Sequence, residues 1–212
     1  MRFLSLLRLL SFALIASALS LAGCDRQAGG GQAVAPAGKT AFKNTDVTGL
    51  DYAKDFALPD FNGKIRTLAD FKGKAVVVFF GYTQCPDVCP TTMSEMANVM
   101  QQLGPLADKV QVLFISVDPE RDTPELLAKY VPAFDPRFLG LVGDKAATEK
   151  VAKEFRVFYQ KVPGKEPGSY TMDHTAGSYV FDPQGRLRLF IRHGQGAEPV
   201  AHDLKLLLSG DS

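Results

Sequence analysis

The chain has 212 residues, of which 46% are hydrophobic and 22% charged, enough to bury a core of ordinary size, so one globular domain is expected. Its 24 Lys and Arg stand against 23 Asp and Glu, for a net charge of +1. With no basic run, that balance argues against a nucleic-acid partner.

In chain order, Arg2 and Arg8 bracket a short basic region, and residues 9–21 are a nearly unbroken apolar stretch. This pattern is that of a secretory signal rather than of a folded element, and it is short of the ~20 apolar residues that a spanning helix needs. Its end, Leu21-Ala22-Gly23-Cys24, resembles the lipobox of bacterial lipoproteins. The resemblance implies a signal peptide over 1–23, with Cys24 acylated as the first mature residue. Asp25 in the next position implies retention at the inner membrane, so that the domain faces the periplasm. Residues 27–40 are dominated by Gly, Ala, Gln and Pro, too few large apolar groups to offset their ordering entropy. A lipidated flexible tether is therefore expected over 24–46, and the folded domain over 47–212.

The domain begins with two short strands around Asn62-Gly63, followed by a loop over 70–74. Residues 75–80, Ala-Val-Val-Val-Phe-Phe, read as a central strand covered on both faces. After Gly81-Tyr82-Thr83-Gln84, a helix is expected to start at Cys85, with Pro86 in its first turn and Met93, Met96, Met100 and Leu103 as its apolar stripe. Residues 110–117 form a second buried strand, and Asp118 to Thr123 lead into a helix over 124–131. A short apolar stretch at 138–142, a helix over 145–155 and a strand at 157–161 follow. Residues 161–171 read as a polar, exposed flap. Strands at 177–181 and 187–191 flank the turn Asp182-Pro183-Gln184-Gly185, and a helix over 198–208 closes the chain. Successive strand-helix units imply parallel pairing, and the order matches an α/β, thioredoxin-like three-layer fold. In that fold a central mixed sheet carries extra N-terminal strands and a hairpin near the C-terminus.

The chain has three cysteines, and with Cys24 lipidated, Cys85 and Cys89 are the remaining thiols. A local pair in an oxidising compartment is a structural disulfide, a redox-active disulfide or a metal site. On a helix, the Cys-x-x-x-Cys spacing places both side chains on one face, one turn apart. The α-carbon separation is then ~6 Å, within the range that a disulfide tolerates. As a staple the pair closes too small a loop to restrict the unfolded chain much. The pair lies at the carboxyl end of a core strand, where ligands gather in open α/β sheets, and a helix N-terminus there favours thiolates through its dipole.

Of the three histidines, His174 lies between the flap and the strand at Gly177, where a loop lip can approach the cysteines. Two thiolates and an imidazole make a soft, low-coordinate set suited to copper, Cu(I) or Cu(II), and zinc is disfavoured because no fourth ligand is evident. His193 and His202 read as structural. Asp173 is a candidate to orient His174 from outside the ligand set, provided its segment is irregular, and Asp87 a candidate to tune the thiolates.

Three strings together resemble the Sco/SenC family: Gly81-Tyr82-Thr83-Gln84-Cys85-Pro86-Asp87-Val88-Cys89-Pro90-Thr91, then Ser116-Val117-Asp118-Pro119-Glu120-Arg121-Asp122-Thr123-Pro124, then Asp173-His174-Thr175. The resemblance implies a copper metallochaperone with Cys85, Cys89 and His174 as ligands, serving the dinuclear copper centre of cytochrome c oxidase subunit II. It equally admits a thiol-disulfide oxidoreductase in which Cys85 and Cys89 are catalytic. Such an enzyme would keep the cysteines of the oxidase, or of another periplasmic copper chaperone, reduced, and would itself draw on a thioredoxin-like reductant.

Overall fold

The computed structural model describes residues 42–210; the expected signal peptide, Cys24, Asp25 and the tether up to residue 41 lie outside the described residues. The chain enters through β1 (Thr45–Asp46), β2 (Leu58–Pro59), β3 (Ile65–Arg66), a 3-10 turn at Leu68–Phe71 and β4 (Ala75–Gly81). Next come α1 (Val88–Leu103), a 3-10 segment at Gly104–Lys109, β5 (Val110–Ser116), α2 (Pro124–Tyr130), a 3-10 turn at Val131–Ala133 and β6 (Leu139–Leu141). The rest is α3 (Lys145–Glu154), β7 (Tyr159–Pro163), β8 (Tyr170–His174), β9 (Gly177–Phe181), β10 (Leu187–Arg192) and α4 (Ala197–Ser209).

The main sheet runs β1-β10-β9-β4-β5-β6 and is mixed: β4 and β6 lie parallel to β5, while β9 lies antiparallel to β4. Every residue of β4 is buried, as its continuous apolar sequence requires of a central strand. Successive side chains point to opposite faces. Phe79 therefore packs on Phe114, which meets Tyr130 at the end of α2, whereas Phe80 packs on Phe155 just beyond α3. Helices thus cover both faces and complete the three layers.

Several boundaries differ from expectation for identifiable reasons. Ordered pairing starts inside the segment read as tether, because Thr45 and Asp46 pair with Phe190 and Leu189. The buried Asp203 carboxylate holds this entry by accepting from the Lys43 amide at 2.9 Å, the Asn44 amide at 2.8 Å and Asn44 Nδ2 at 2.9 Å. The loop expected at 70–74 begins in the 3-10 turn, whose start is fastened by Asp70 accepting from the Thr67 amide at 2.8 Å. The helix expected from Cys85 starts only at Val88, leaving Cys85 and Pro86 in the preceding turn. Among the described residues, the largest correction concerns the flap: β7 and β8 form an antiparallel two-stranded arm from Tyr159↔His174 to Pro163↔Tyr170, leaving only 164–169 as its loop. The strand expected at 157–161 overlaps β7, whereas β8, with only Met172 buried, is too polar to announce a strand.

Candidate metal centre

The site is built where β4 ends. A Cβ at Gly81 would stand 2.9 Å from Cys89 Sγ, 2.8 Å from the Phe79 ring and 2.9 Å from the Phe114 ring. Glycine therefore lets the first turn of α1 close against the strand. The Cys85 amide donates to the Tyr82 carbonyl at 3.3 Å, folding residues 82–85 into a turn that leaves Cys85 half-buried. Cys89, the second residue of α1, is fully buried, and its amide donates to Cys85 Sγ at 3.5 Å. Both residues are thiols in this structure.

His174 reaches the thiols from the end of β8. Its Nε2 lies 3.5 Å from Cys89 Sγ, while Nδ1 lies 3.1 Å from the Thr175 carbonyl oxygen. A carbonyl only accepts, so Nδ1 carries the proton and Nε2 turns its lone pair toward the sulfurs. The ring meets Phe79 and Tyr82 edge-on, at centroid distances of 6.1 and 5.9 Å. The Cys85, Cys89 and His174 ligand atoms lie within 4.8 Å of one another, and no other His, Cys, Asp or Glu joins them among the described residues.

Electrostatics correct one expectation. Burial pushes the Cys89 thiol well up, and the Tyr82 amide that favours its thiolate offsets only part of that effect. Desolvation is the largest influence on the Cys89 thiol, so its position at the start of α1 does not leave it a ready thiolate. Burial lowers the His174 pKa by more than the bond to Thr175 raises it, and the net lowering keeps the imidazole neutral near pH 7. A buried thiol that resists ionising and a neutral imidazole together lack positive charge, which a bound cation would supply as it displaces the thiol proton.

Asp173 does not orient the ring. It is exposed within the regular part of β8, where neighbouring side chains point to opposite faces, and the Thr175 carbonyl takes that role. Asp87 is exposed and accepts from Thr91 Oγ1 at 3.4 Å, at the start of α1. Outside the cluster, His193 Nδ1 pairs with Thr92 Oγ1 at 3.1 Å and His202 Nδ1 with Asp203 Oδ1 at 2.9 Å.

Arg121 and Asp122 lie in the second of the strings that resemble the family, and the sequence alone assigns them no role. Buried Asp122 accepts from Ser116 Oγ at 2.6 Å, from Thr83 Oγ1 at 2.6 Å and from the Thr83 amide at 3.2 Å, joining the end of β5 to the cysteine turn. Arg121 Nε donates to Asp118, while its Nη1 donates to Gln84 Oε1 at 3.1 Å and to the Tyr170 carbonyl at 2.8 Å. The Tyr170 hydroxyl donates to Asp118 Oδ1 at 2.8 Å, and burial together with that bond pushes its pKa up to about 12. The only advance signal was the density of charge in Asp118-Pro119-Glu120-Arg121-Asp122 directly after an apolar strand.

The model of the SCO1/SenC family matches residues 45–209. The bovine mitochondrial SCO2 homolog is 39% identical over 153 residues, covering 71% of this chain and 58% of that protein. A SCO2-like protein of Rickettsia felis is 36% identical over 140 residues, covering 66% of this chain and 67% of that one. The chain thus spans somewhat over half the length of the bovine relative. Among solved structures, copper-bound ScoI of Bradyrhizobium japonicum is 49% identical with a TM-score of 0.66, covering 71% of this chain and 96% of that one. Apo Sco1 of Thermus thermophilus is 42% identical with a TM-score of 0.71, covering 79% and 98%. The family match spans every element from β1 to α4 and the Cys-Cys-His corner, and the solved structures share the thioredoxin-like fold expected from the element order. The chain belongs to the SCO1/SenC family.

Proposed function

We propose that this protein is a copper-binding metallochaperone that helps assemble the dinuclear copper centre of cytochrome c oxidase subunit II, with Cys85, Cys89 and His174 as the copper ligands. The observation that carries the reading is the convergence of two thiols and a neutral imidazole within 4.8 Å. A soft donor set of low coordination suits copper, and relatives with copper bound support the same choice. The oxidase role is what membership of the family implies. Half-buried Cys85 leaves one edge of the site open, so that a partner's ligands can replace these three in turn. We place the domain on the periplasmic face of the inner membrane through acylation of Cys24. Radiolabelled palmitate incorporated by the wild type and lost in Cys24→Ala would support the anchor; unchanged labelling or membrane recovery in Cys24→Ala would overturn it.

A second reading has its own observation, the pairing of an accessible Cys85 with a buried Cys89. In that reading the Cys85 thiolate attacks a partner disulfide and expels one partner thiol. Cys89 then attacks the mixed disulfide, expelling the second thiol and leaving Cys85–Cys89 oxidised by two electrons. Oxidase activity in a strain lacking the protein separates the two readings. Copper delivery predicts that His174→Ala restores little activity at low copper and more as copper is added. Full restoration by His174→Ala at every copper level would favour thiol exchange.

A further inference from the structure

The three ligands come from two parts of the molecule that share no main-chain pairing. Cys85 and Cys89 belong to the corner after β4, within the main sheet, whereas His174 ends an arm whose two strands pair only with each other. Two side chains bridge them: Tyr82, through its hydroxyl to the Met172 backbone, and Arg121. Its guanidinium grips the cysteine turn through Gln84 Oε1 at 3.1 Å and the arm through the Tyr170 carbonyl at 2.8 Å. It lies 3.6 Å from the centroid of the Tyr170 ring and 5.5 Å from that of Tyr82. Asp118 closes the arrangement by accepting from both Arg121 Nε and the Tyr170 hydroxyl. Arg121 Nη2 is buried without an oxygen acceptor, and the stacked aromatic face compensates for it.

Lys161, across the arm from Met172, lies 4.5 Å from the Tyr170 ring centroid and pairs with Glu120 beside Arg121. The arm is therefore fastened to the Asp118–Asp122 turn through that turn's side chains, and among the described residues no main-chain to main-chain bond joins the two. A planar fork that donates in several directions suits this task, and a lysine ammonium has no equivalent geometry.

We propose that Arg121 is a positioning residue for His174: with Asp118 and Tyr170 it forms a latch that holds the arm against the cysteine corner, so that releasing it withdraws the imidazole and leaves the two thiolates in place. The proposal rests on the reading of Cys85, Cys89 and His174 as copper ligands. It assigns the Asp118–Asp122 string the job of setting the third ligand's occupancy, with no contact between Arg121 and the metal.

The test loads the reduced full chain and its Arg121→Gln, Tyr170→Phe and His174→Ala variants with Cu(II). It reads affinity, the sulfur-to-copper charge-transfer band and the nitrogen hyperfine structure of the paramagnetic spectrum. Arg121→Gln should keep a charge-transfer band, lose the nitrogen signature and bind copper ~10–100-fold more weakly, as loss of outer-shell support for a metal-bound His does. The double variant Arg121→Gln with His174→Ala should add nothing to His174→Ala alone. Tyr170→Phe, which keeps the ring and drops one hydrogen bond, should shift affinity in the same direction by less. Retention of the nitrogen signature and affinity in Arg121→Gln, when His174→Ala loses both, would overturn the latch alone. An unchanged His174→Ala protein would overturn the ligand reading and the latch with it. Should Arg121→Gln not fold, Arg121→Lys decides: partial loss of the nitrogen signature supports the latch, and full retention overturns it.

Discussion

The corner after β4 and the β7–β8 arm bring their side chains to the same Cys85, Cys89 and His174 cluster and are held by different means. The corner is a product of the core: β4 is buried throughout, Gly81 admits the first turn of α1, and Asp122 ties Thr83 to Ser116. In the arm only Met172 is buried, and Phe158 just before it is 55% exposed. Its fastening consists of hydrogen bonds and stacked rings around Arg121, Asp118 and Tyr170. Cys89 is thus preorganised by burial in the core, with Cys85 in the turn tied to it, whereas the imidazole depends on arm contacts that open locally. A site that passes a metal on benefits from that asymmetry, since one ligand can leave while two keep hold.

The widest separation between the two regions should come from the neighbours Phe155 and Phe158. Phe155 is fully buried among the Phe80, Tyr179 and Phe181 rings. Phe155→Ala should cost about 3–5 kcal/mol in urea unfolding. Gly81→Ala comes next: its methyl would lie within 3 Å of Cys89 Sγ and two phenylalanine rings, and about 1–3 kcal/mol should be lost. Hydrogen exchange gives a graded view of the same contrast. Amides of Tyr170–His174 should exchange at least ~10-fold faster than those of Ala75–Gly81, and equal protection in both would erase the distinction.

An acid titration probes the scaffold side. Burial alone would raise the Asp182 pKa, but hydrogen bonds from the Arg186 amide and side chain and from Arg188 outweigh it and hold the carboxyl below its ordinary value. A carboxyl lowered on folding stabilises above its unfolded pKa of ~3.9, and that contribution is lost as the pH falls through the lower folded value. The stability gap between the wild type and Asp182→Asn at pH 7 should therefore shrink below about pH 4; a gap independent of pH would contradict the assignment. The smallest effect belongs to Phe158→Ser on the exposed arm, expected within about 0.5 kcal/mol of the wild type by the same urea assay.

How much of this was legible in the sequence follows the same division. The apolar run at Ala75–Gly81 announces a buried strand whatever surrounds it, and with it the placement of Cys85 and Cys89 at its end. The start of α1 was misplaced by three residues, because Pro86 suits both a first helical turn and the turn before a helix, and Cys85 bonding to Tyr82 settles which. The arm is half legible: the strand expected at 157–161 overlaps β7, whereas β8 owes little to alternation and much to Arg121 and Asp118, which lie about fifty positions away from Tyr170 along the chain. His174 is reachable chiefly through the resemblance of Asp173-His174-Thr175, its place beside the strand at Gly177 offering only a weaker pointer. Adjacency then suggested Asp173 as its support, where strand geometry gives that place to the Thr175 carbonyl.

The central claim is that Cys85, Cys89 and His174 act together on one copper ion. Anaerobic copper titration of the reduced full chain, followed through the sulfur-to-copper charge-transfer band, tests it most directly. The account predicts one copper per chain for the wild type, no band in the Cys85→Ser with Cys89→Ser double variant, and a weaker complex with an altered band in His174→Ala. Undiminished copper uptake by all of these variants would contradict it.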